Sequence, residues 1–262
     1  MGAFEAITPD DPFRSDAAAV NFASTAGVIS VAPDKGPVRT IITGGKRRAT
    51  GRFFSVKNGR AMPWEAEHEE PFAFAAAEVE TECLAWIGQP CRIEIPYGPN
   101  WLRYFPDLAR RDIVEGRGIT RVIELKRDKQ REVEDNPAYK EKLELAKELL
   151  RLVGATFQIL DDSDLGTPVY RRNVSMIVLD KNTKVGPSDI ARARDIAGKS
   201  RQATYGDLCE GLGGFIIGKR KVHALMIRRI LRIPLHREIT VSTTVSLVER
   251  SDEPQREWEF FE

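Results

Sequence analysis

Cysteine is scarce. The chain has three, Cys83, Cys91 and Cys209, far apart and with no CxxC pair. That argues against a disulfide framework and a cysteine-built zinc site, and it fits a reducing cytosol. No apolar run approaches the ~18–20 residues that span a membrane. The opening MGAFEAITPDDPF lacks the basic start and apolar stretch of a secretory signal. A cytoplasmic protein with no membrane partner is therefore expected. Internal repeats and low-complexity tracts are absent too. Net charge is almost nil: 40 Lys and Arg against 39 Asp and Glu leave +1, so the total does not announce a nucleic-acid binder.

What is present is more telling. The 262 residues allow roughly two ordinary domains. At 42 % hydrophobic and 30 % charged residues, the chain is globular rather than disordered or fibrous. The small net charge hides two poles. Residues 65–82 hold seven acids (Glu65, Glu67, Glu69, Glu70, Glu78, Glu80, Glu82) and no Lys or Arg. Residues 218–237 hold seven bases (Lys219, Arg220, Lys221, Arg228, Arg229, Arg232, Arg237) and no acid. Gathered acids can hold a cation and gathered bases a polyanion, although either run can equally be a solvated face.

Three regions are expected. Residues 1–48 form an N-terminal segment rich in turn-forming residues, with short strands at Val28–Val31 and Val38–Ile42 and a basic run at Lys46–Arg48. Residues 49–165 hold a compact α/β unit. Gly51–Arg60 reads as a strand closed by an Asn-Gly turn, and Pro63 opens a helix with Glu close behind it. Strands follow at Leu84–Ile95, Trp101–Ala109 and Ile119–Leu125. A helix over Asn136–Val153 ends at Gly154, and Ala155–Leu160 looks like a buried strand.

Residues 166–262 turn to short helices: Pro168–Leu179, Ser188–Ala197, a stretch after Thr204, and a basic helix near Gly218–Leu231. Strand-like residues follow at Ile239–Val248, then an acidic-aromatic tail. Helix, turn, basic helix and β-rich residues are the layout of a winged helix-turn-helix.

The chemistry concentrates on three acids and a lysine. Asp107 follows Pro106 on the middle strand. Glu124 and Lys126, two apart on the third strand, point to one face. The spacing from Asp107 to Glu124 suits two antiparallel strands and a turn. Two carboxylates brought together stay ionised cheaply only with a cation between them, and Mg²⁺ prefers oxygen ligands. The Leu125 carbonyl could add one. Lys126 could orient a metal-bound water or neutralise charge on a phosphorane. Glu65 and Glu69, i and i+4 on the preceding helix, could deliver a further carboxylate. As a bare pattern, Pro-Asp followed by Glu-x-Lys is weak; its place on predicted strands between two helices raises its value.

These residues resemble the PD-(D/E)xK nucleases, and among them the TnsA endonucleases of heteromeric, Tn-seven-like transposases. The resemblance runs from about Gly51 to Leu160 and more faintly onward. It rests on Gly51 to Arg60, on Trp64-Glu-Ala-Glu-His-Glu-Glu-Pro-Phe72, on Gln89-Pro90, on Tyr104-Phe-Pro-Asp107 and on Val122-Ile-Glu-Leu-Lys126. It implies a restriction-endonuclease-like α/β core (helix, three antiparallel strands, helix, strand) followed by a mainly α, winged-helix-like domain.

It also implies catalysis by Glu69, Asp107, Glu124 and Lys126. In the family an acid three residues before Phe is the metal ligand, which points to Glu69; Glu65 and Glu70 remain alternatives. The ion would be Mg²⁺, one or two per site, with Mn²⁺ able to substitute, held by Glu69, Asp107, Glu124 and Leu125. The implied activity is cleavage at the 5′ ends of a transposon. A TnsB-like DDE transposase would cut the 3′ ends, and a TnsC-like AAA+ ATPase would contact the complex. Sequence choice rests mostly with such a partner, so backbone contact suffices for this chain. Candidate DNA contacts are Lys57, Arg60, Lys219, Arg220, Lys221 and Arg228, with His223 on the same basic helix. That helix could instead face a protein partner. Two other readings are a stand-alone restriction or repair nuclease and a catalytically dead DNA-binding subunit.

Overall fold

The computed structural model describes residues 19–24, 26–39, 49–65, 69–199 and 203–248. It is a mixed α/β protein with several antiparallel sheets. The first sheet has the order β1-β2-β6-β7, with β1 Ala19–Ser24, β2 Gly27–Val31, β6 Arg92–Tyr97 and β7 Asn100–Tyr104. A hairpin joins β3 (Gly51–Ser55) to β4 (Arg60–Trp64). The second sheet has the order β10-β9-β8-β5, with β5 Cys83–Gly88, β8 Leu108–Val114, β9 Arg117–Leu125 and β10 Thr156–Leu160. In it, β5, β8 and β9 run antiparallel and β10 lies parallel to β9. Helix α1 (Glu69–Val79) precedes β5, and α2 (Pro137–Leu152) forms the crossover from β9 to β10.

Several expected strands break, each for a local reason. Leu84–Ile95 divides into β5 and β6, which belong to different sheets. The break falls at Gln89, in a left-handed conformation (φ 51°), and Pro90, which has no N–H for the ladder. Phe105 and Pro106 divide Trp101–Ala109 in the same way into β7 and β8. Pro63 does not open a helix: it sits on β4 opposite Arg52. A two-stranded hairpin has free edges, where a missing N–H does no harm. β10 is an edge strand with exposed and half-buried residues rather than a buried one. Val38 and Arg39 lie in a bend; Thr40–Ile42 and the basic run Lys46–Arg48 lie outside the described residues. Of Ile239–Val248, only β12 (Ser246–Leu247) is a strand, paired with β11 (Leu231–Arg232). The terminal tail from residue 249 also lies outside the described residues.

α2 forms where its caps predict. Asn136 accepts from the Tyr139 N–H at 3.2 Å and Pro137 occupies the first turn. Its buried stripe of Leu143, Ala146, Leu149 and Leu150 joins the first core with Trp86, Ile93, Leu108, Val122 and Ile123. Ile29 of β2 lies in the same core, so the described part of residues 1–48 is built into this unit rather than standing apart.

The remaining helices are α3 (Pro168–Val178), α4 (Pro187–Lys199), α5 (Tyr205–Gly211) and α6 (Phe215–Ile227). Thr204 and Asp207 form a reciprocal capping box at the start of α5. A second core gathers Tyr170, Val174, Ile177, Leu208, Leu225 and Met226. α1 serves both cores. Ala73, Phe74 and Ala77 face the first, whereas Ala75, Ala76 and Val79 face the second. Past its first turn α1 is alanine-rich and apolar except for Glu78, a buried carboxylate that accepts from the Ser55 hydroxyl and the Trp86 indole N–H, which suits a helix buried on both flanks. No described helix is long and apolar enough to cross a membrane.

Candidate active site

The sheet register builds the site. Leu108 pairs with Ile123, so one step further along the antiparallel ladder Asp107 stands opposite Glu124. The Leu125 N–H donates to Asp107 Oδ2 at 2.7 Å and anchors that carboxylate across β9. Leu125 therefore presents its amide, not its carbonyl, to Asp107. Lys126 follows at the end of β9, where its N–H donates to the Leu160 carbonyl. Its ammonium folds back on Glu124 Oε1 at 2.6 Å and lies 5.0 Å from the Tyr139 ring centroid.

Two tyrosines complete the setting of Glu124, which is only 4 % exposed. Tyr104 O–H donates to its Oε2 at 2.6 Å and Tyr139 O–H to its Oε1 at 2.7 Å. Three donors thus hold one carboxylate, and they fix its position from β7, α2 and β9. Beyond Lys126 the chain makes a single π-helical turn, Gln130–Glu134. Glu132 reaches back to accept from the N–H groups of Arg127 and Asp128 at 2.9 and 3.1 Å, which ties down the loop after the lysine. Such turns recur at functional sites.

The third acid comes from the first turn of α1, where two candidates are adjacent. Glu69 lies 3.7 Å from the Arg127 guanidinium. Glu70 accepts from the Glu65 N–H at 3.0 Å. Glu70 is the one whose charge is felt by both Asp107 and Glu124. Burial pushes its carboxyl up to about 7; the Glu65 N–H opposes that, and the charges of Glu65 and Glu124 reinforce it. Withdrawal from water raises Asp107 well above the ordinary carboxylate range, and Glu124 and Glu70 add to the rise. Burial alone would lower the Lys126 ammonium, but Glu124, Tyr139 and Asp107 together outweigh it and raise the group. The lysine is therefore a fixed cation at neutral pH.

The structure brings Asp107, Glu124 and Lys126 together as expected. It favours Glu70 over Glu69 as the acid facing them, because Glu69 is turned to Arg127. Glu65 is drawn off to Arg39, 3.6 Å away. Among the described residues no three of His, Cys, Asp and Glu are already closed into a ligand cluster. The donor set nevertheless fits a hard divalent ion. It is all oxygen, and two of its carboxyls, Asp107 and Glu70, are held high by burial and by neighbouring carboxylates, which is the strain a cation relieves. Tyr139 and Tyr104 carried no chemical signature in the sequence beyond the Tyr104-to-Asp107 segment.

The proposed DNA contacts fare less well. Lys57 is removed from any such role. Its ammonium donates to the carbonyls of Ala77, Glu80 and Cys83 at 2.8, 2.6 and 2.8 Å, so its protons tie the end of α1 to the start of β5. Arg228 turns inward to the Ala224 and Thr183 carbonyls at 3.0 and 3.3 Å. His223 is fully buried between the Tyr205 hydroxyl and Asp180, 2.7 Å from each. Arg220 pairs with Asp180 at 3.1 Å and Lys221 with Asp189 at 2.7 Å. Arg60 is a surface residue that donates to the Asp34 carbonyl at 3.1 Å. Lys219, half-buried, has no ion pair among the described residues. Two of the bases of α6 are thus paired by α4 and the loop that follows α3. A count along the sequence could not see that.

Fold and site define a mixed α/β protein whose antiparallel sheet presents two carboxylates and a lysine beside an acid-bearing helix. No protein-family model matches the chain, and no curated protein matches it.

Proposed function

We propose that this chain is a metal-dependent DNA endonuclease of the TnsA-like kind, which cuts the 5′ ends of a transposon beside a DDE transposase. The observation that supports it most is the placing of Asp107 level with Glu124, one step beyond the Leu108–Ile123 pair of the β8–β9 ladder, with Lys126 2.6 Å from Glu124. The order α1, β5, β8, β9, α2, β10 agrees with a restriction-endonuclease-like core. α5, the Gly213-Gly214 turn, α6 and the small β11–β12 pair agree with a reduced winged helix. A TnsC-like AAA+ ATPase is a further expected partner.

Asp107, Glu124 and Glu70 would hold the divalent ion, Mg²⁺ or Mn²⁺, which supplies Lewis-acid activation of water and phosphate when bound. Lys126 holds its proton and places positive charge where the phosphoryl oxygens gain negative charge. Tyr104 and Tyr139 keep Glu124 from swinging away. Leu125 holds Asp107 through its backbone N–H.

The test is cleavage of transposon-end DNA by the chain purified with its transposase. Asp107→Ala should abolish 5′-end cutting, with DNA binding by the complex within about twofold of wild type. Retained cutting by that variant refutes the assignment. Cutting by the isolated chain on any DNA would instead point to a stand-alone nuclease.

A further inference from the structure

The residue before Pro90 carries two unexplained features. Gln89 adopts a left-handed backbone (φ 51°), which is strained for any side chain. It is only 3 % exposed, and its Oε1 is a buried acceptor with no hydrogen-bond partner. Native proteins rarely leave such an atom unsatisfied, and those they do leave call for an explanation.

Its place in the sheet supplies one. Gly88 pairs with Leu108 and Leu108 with Ile123. One step along, Gln89 just past β5 and Asp107 just before β8 come level with Glu124 on β9. The contact is direct: the Gln89 N–H donates to the Asp107 carbonyl at 2.9 Å. The Gln89 carbonyl accepts from Val38, also at 2.9 Å, which fixes the backbone on its other side. The residue is therefore held from both sides at the end of the sheet that bears the carboxylates.

We propose that the Gln89 side-chain oxygen is a further ligand of this site, contributing to the shell of a divalent cation directly or through a cation-bound water. With a divalent ion in place the neighbouring Asp and Glu are ionised and have no proton to donate to this acceptor. The ammonium of the site, Lys126, is already bound to Glu124. What remains is a cation or a water that one polarises. An amide oxygen suits a hard ion and adds no fourth negative charge to a site already strained by like charges.

This inference rests on the metal-dependent reading, and the experiment separates the two. Mn²⁺ is titrated calorimetrically into the full-length, metal-stripped chain as wild type, Gln89→Leu, Gln89→Glu and Asp107→Ala. Gln89→Leu should weaken Mn²⁺ binding about tenfold or more without lowering the melting temperature of the metal-free protein, because the oxygen it removes has no partner there. Gln89→Glu, which keeps an oxygen and adds charge, should bind more tightly than wild type. If both variants bind within twofold of wild type while Asp107→Ala does not bind, the role of Gln89 is overturned and the metal site stands. If wild type takes up no Mn²⁺, both fall.

Discussion

Glu70→Gln isolates the electrostatic strain of the site. An ordinary Glu carboxyl titrates near 4.5, and this one is pushed up to about 7, chiefly by burial. Each decade of proton affinity is worth about 1.4 kcal/mol, so the displacement corresponds to about 3 kcal/mol. The sign follows from linkage. Below pH 4.5 the group is protonated in both folded and unfolded chains, and its contribution to stability is fully present. Between pH 4.5 and 7 the unfolded chain releases the proton and the folded chain keeps it, so stability falls as pH rises. Above 7 the folded chain carries a buried charge and the loss is complete.

Glutamine keeps an oxygen for the Glu65 N–H and never ionises. The variant should match wild type at pH 4.5 and exceed it by up to about 3 kcal/mol at pH 8, measured by urea denaturation in chelator. Removing this charge also relieves Asp107, which feels it, so the gain should not fall far short. Millimolar Mg²⁺ should then stabilise wild type more than the variant, because the cation binds the charge that glutamine lacks. A Gln variant less stable than wild type at pH 8 would refute the reasoning. Glu70 would then be a well-compensated hydrogen-bond acceptor rather than a strained acid.

Two further substitutions probe the scaffold. Lys57→Met strips the caps from the end of α1 and should cost about 2–4 kcal/mol in denaturant melts, since each bond to a charged donor is worth roughly 1.5–3 kcal/mol before relaxation; DNA affinity of the complex should not change. Gly218→Ala should cost about 3 kcal/mol or more or prevent folding, read as lost soluble yield and a lowered Tm, because a Cβ there would lie 1.8 Å from the Cys209 carbonyl where α6 crosses α5.

The parts legible in the sequence are those with local causes. α2 declared itself through Asn136, Pro137 and its leucine stripe, and α5 through Thr204. Asp107, Glu124 and Lys126 were legible because strand period and turn length fix which side chains can meet. The choice among Glu65, Glu69 and Glu70 was not legible. Glu65 precedes α1 instead of sharing a helix face with Glu69, and only the tertiary placing of α1 decides which of the adjacent Glu69 and Glu70 faces the sheet. Lys57 and Arg228 read as surface bases because nothing local reveals the carbonyls that the fold brings to them. Gln89 gave only a Gln-Pro pair ending a strand, a signal of a broken ladder rather than of chemistry.

α1 explains why the acids are tolerated at all. The start of a helix carries a partial positive charge, which favours nearby carboxylates by about 0.3–1 kcal/mol in the open and somewhat more when buried. The strain on Glu70, worth about 3 kcal/mol at alkaline pH, exceeds that. The helix cannot yield by rotating, because Phe74 and Ala77 are locked into one core, Ala76 and Val79 into the other, and its last carbonyls are tied to Lys57. The carboxylate is therefore held at the sheet by a frame that its own repulsion cannot move. A site that only needed to be stable would have placed an apolar residue there. One that keeps a fixed, under-compensated acid beside two more has the electrostatics of a place where a cation comes and goes.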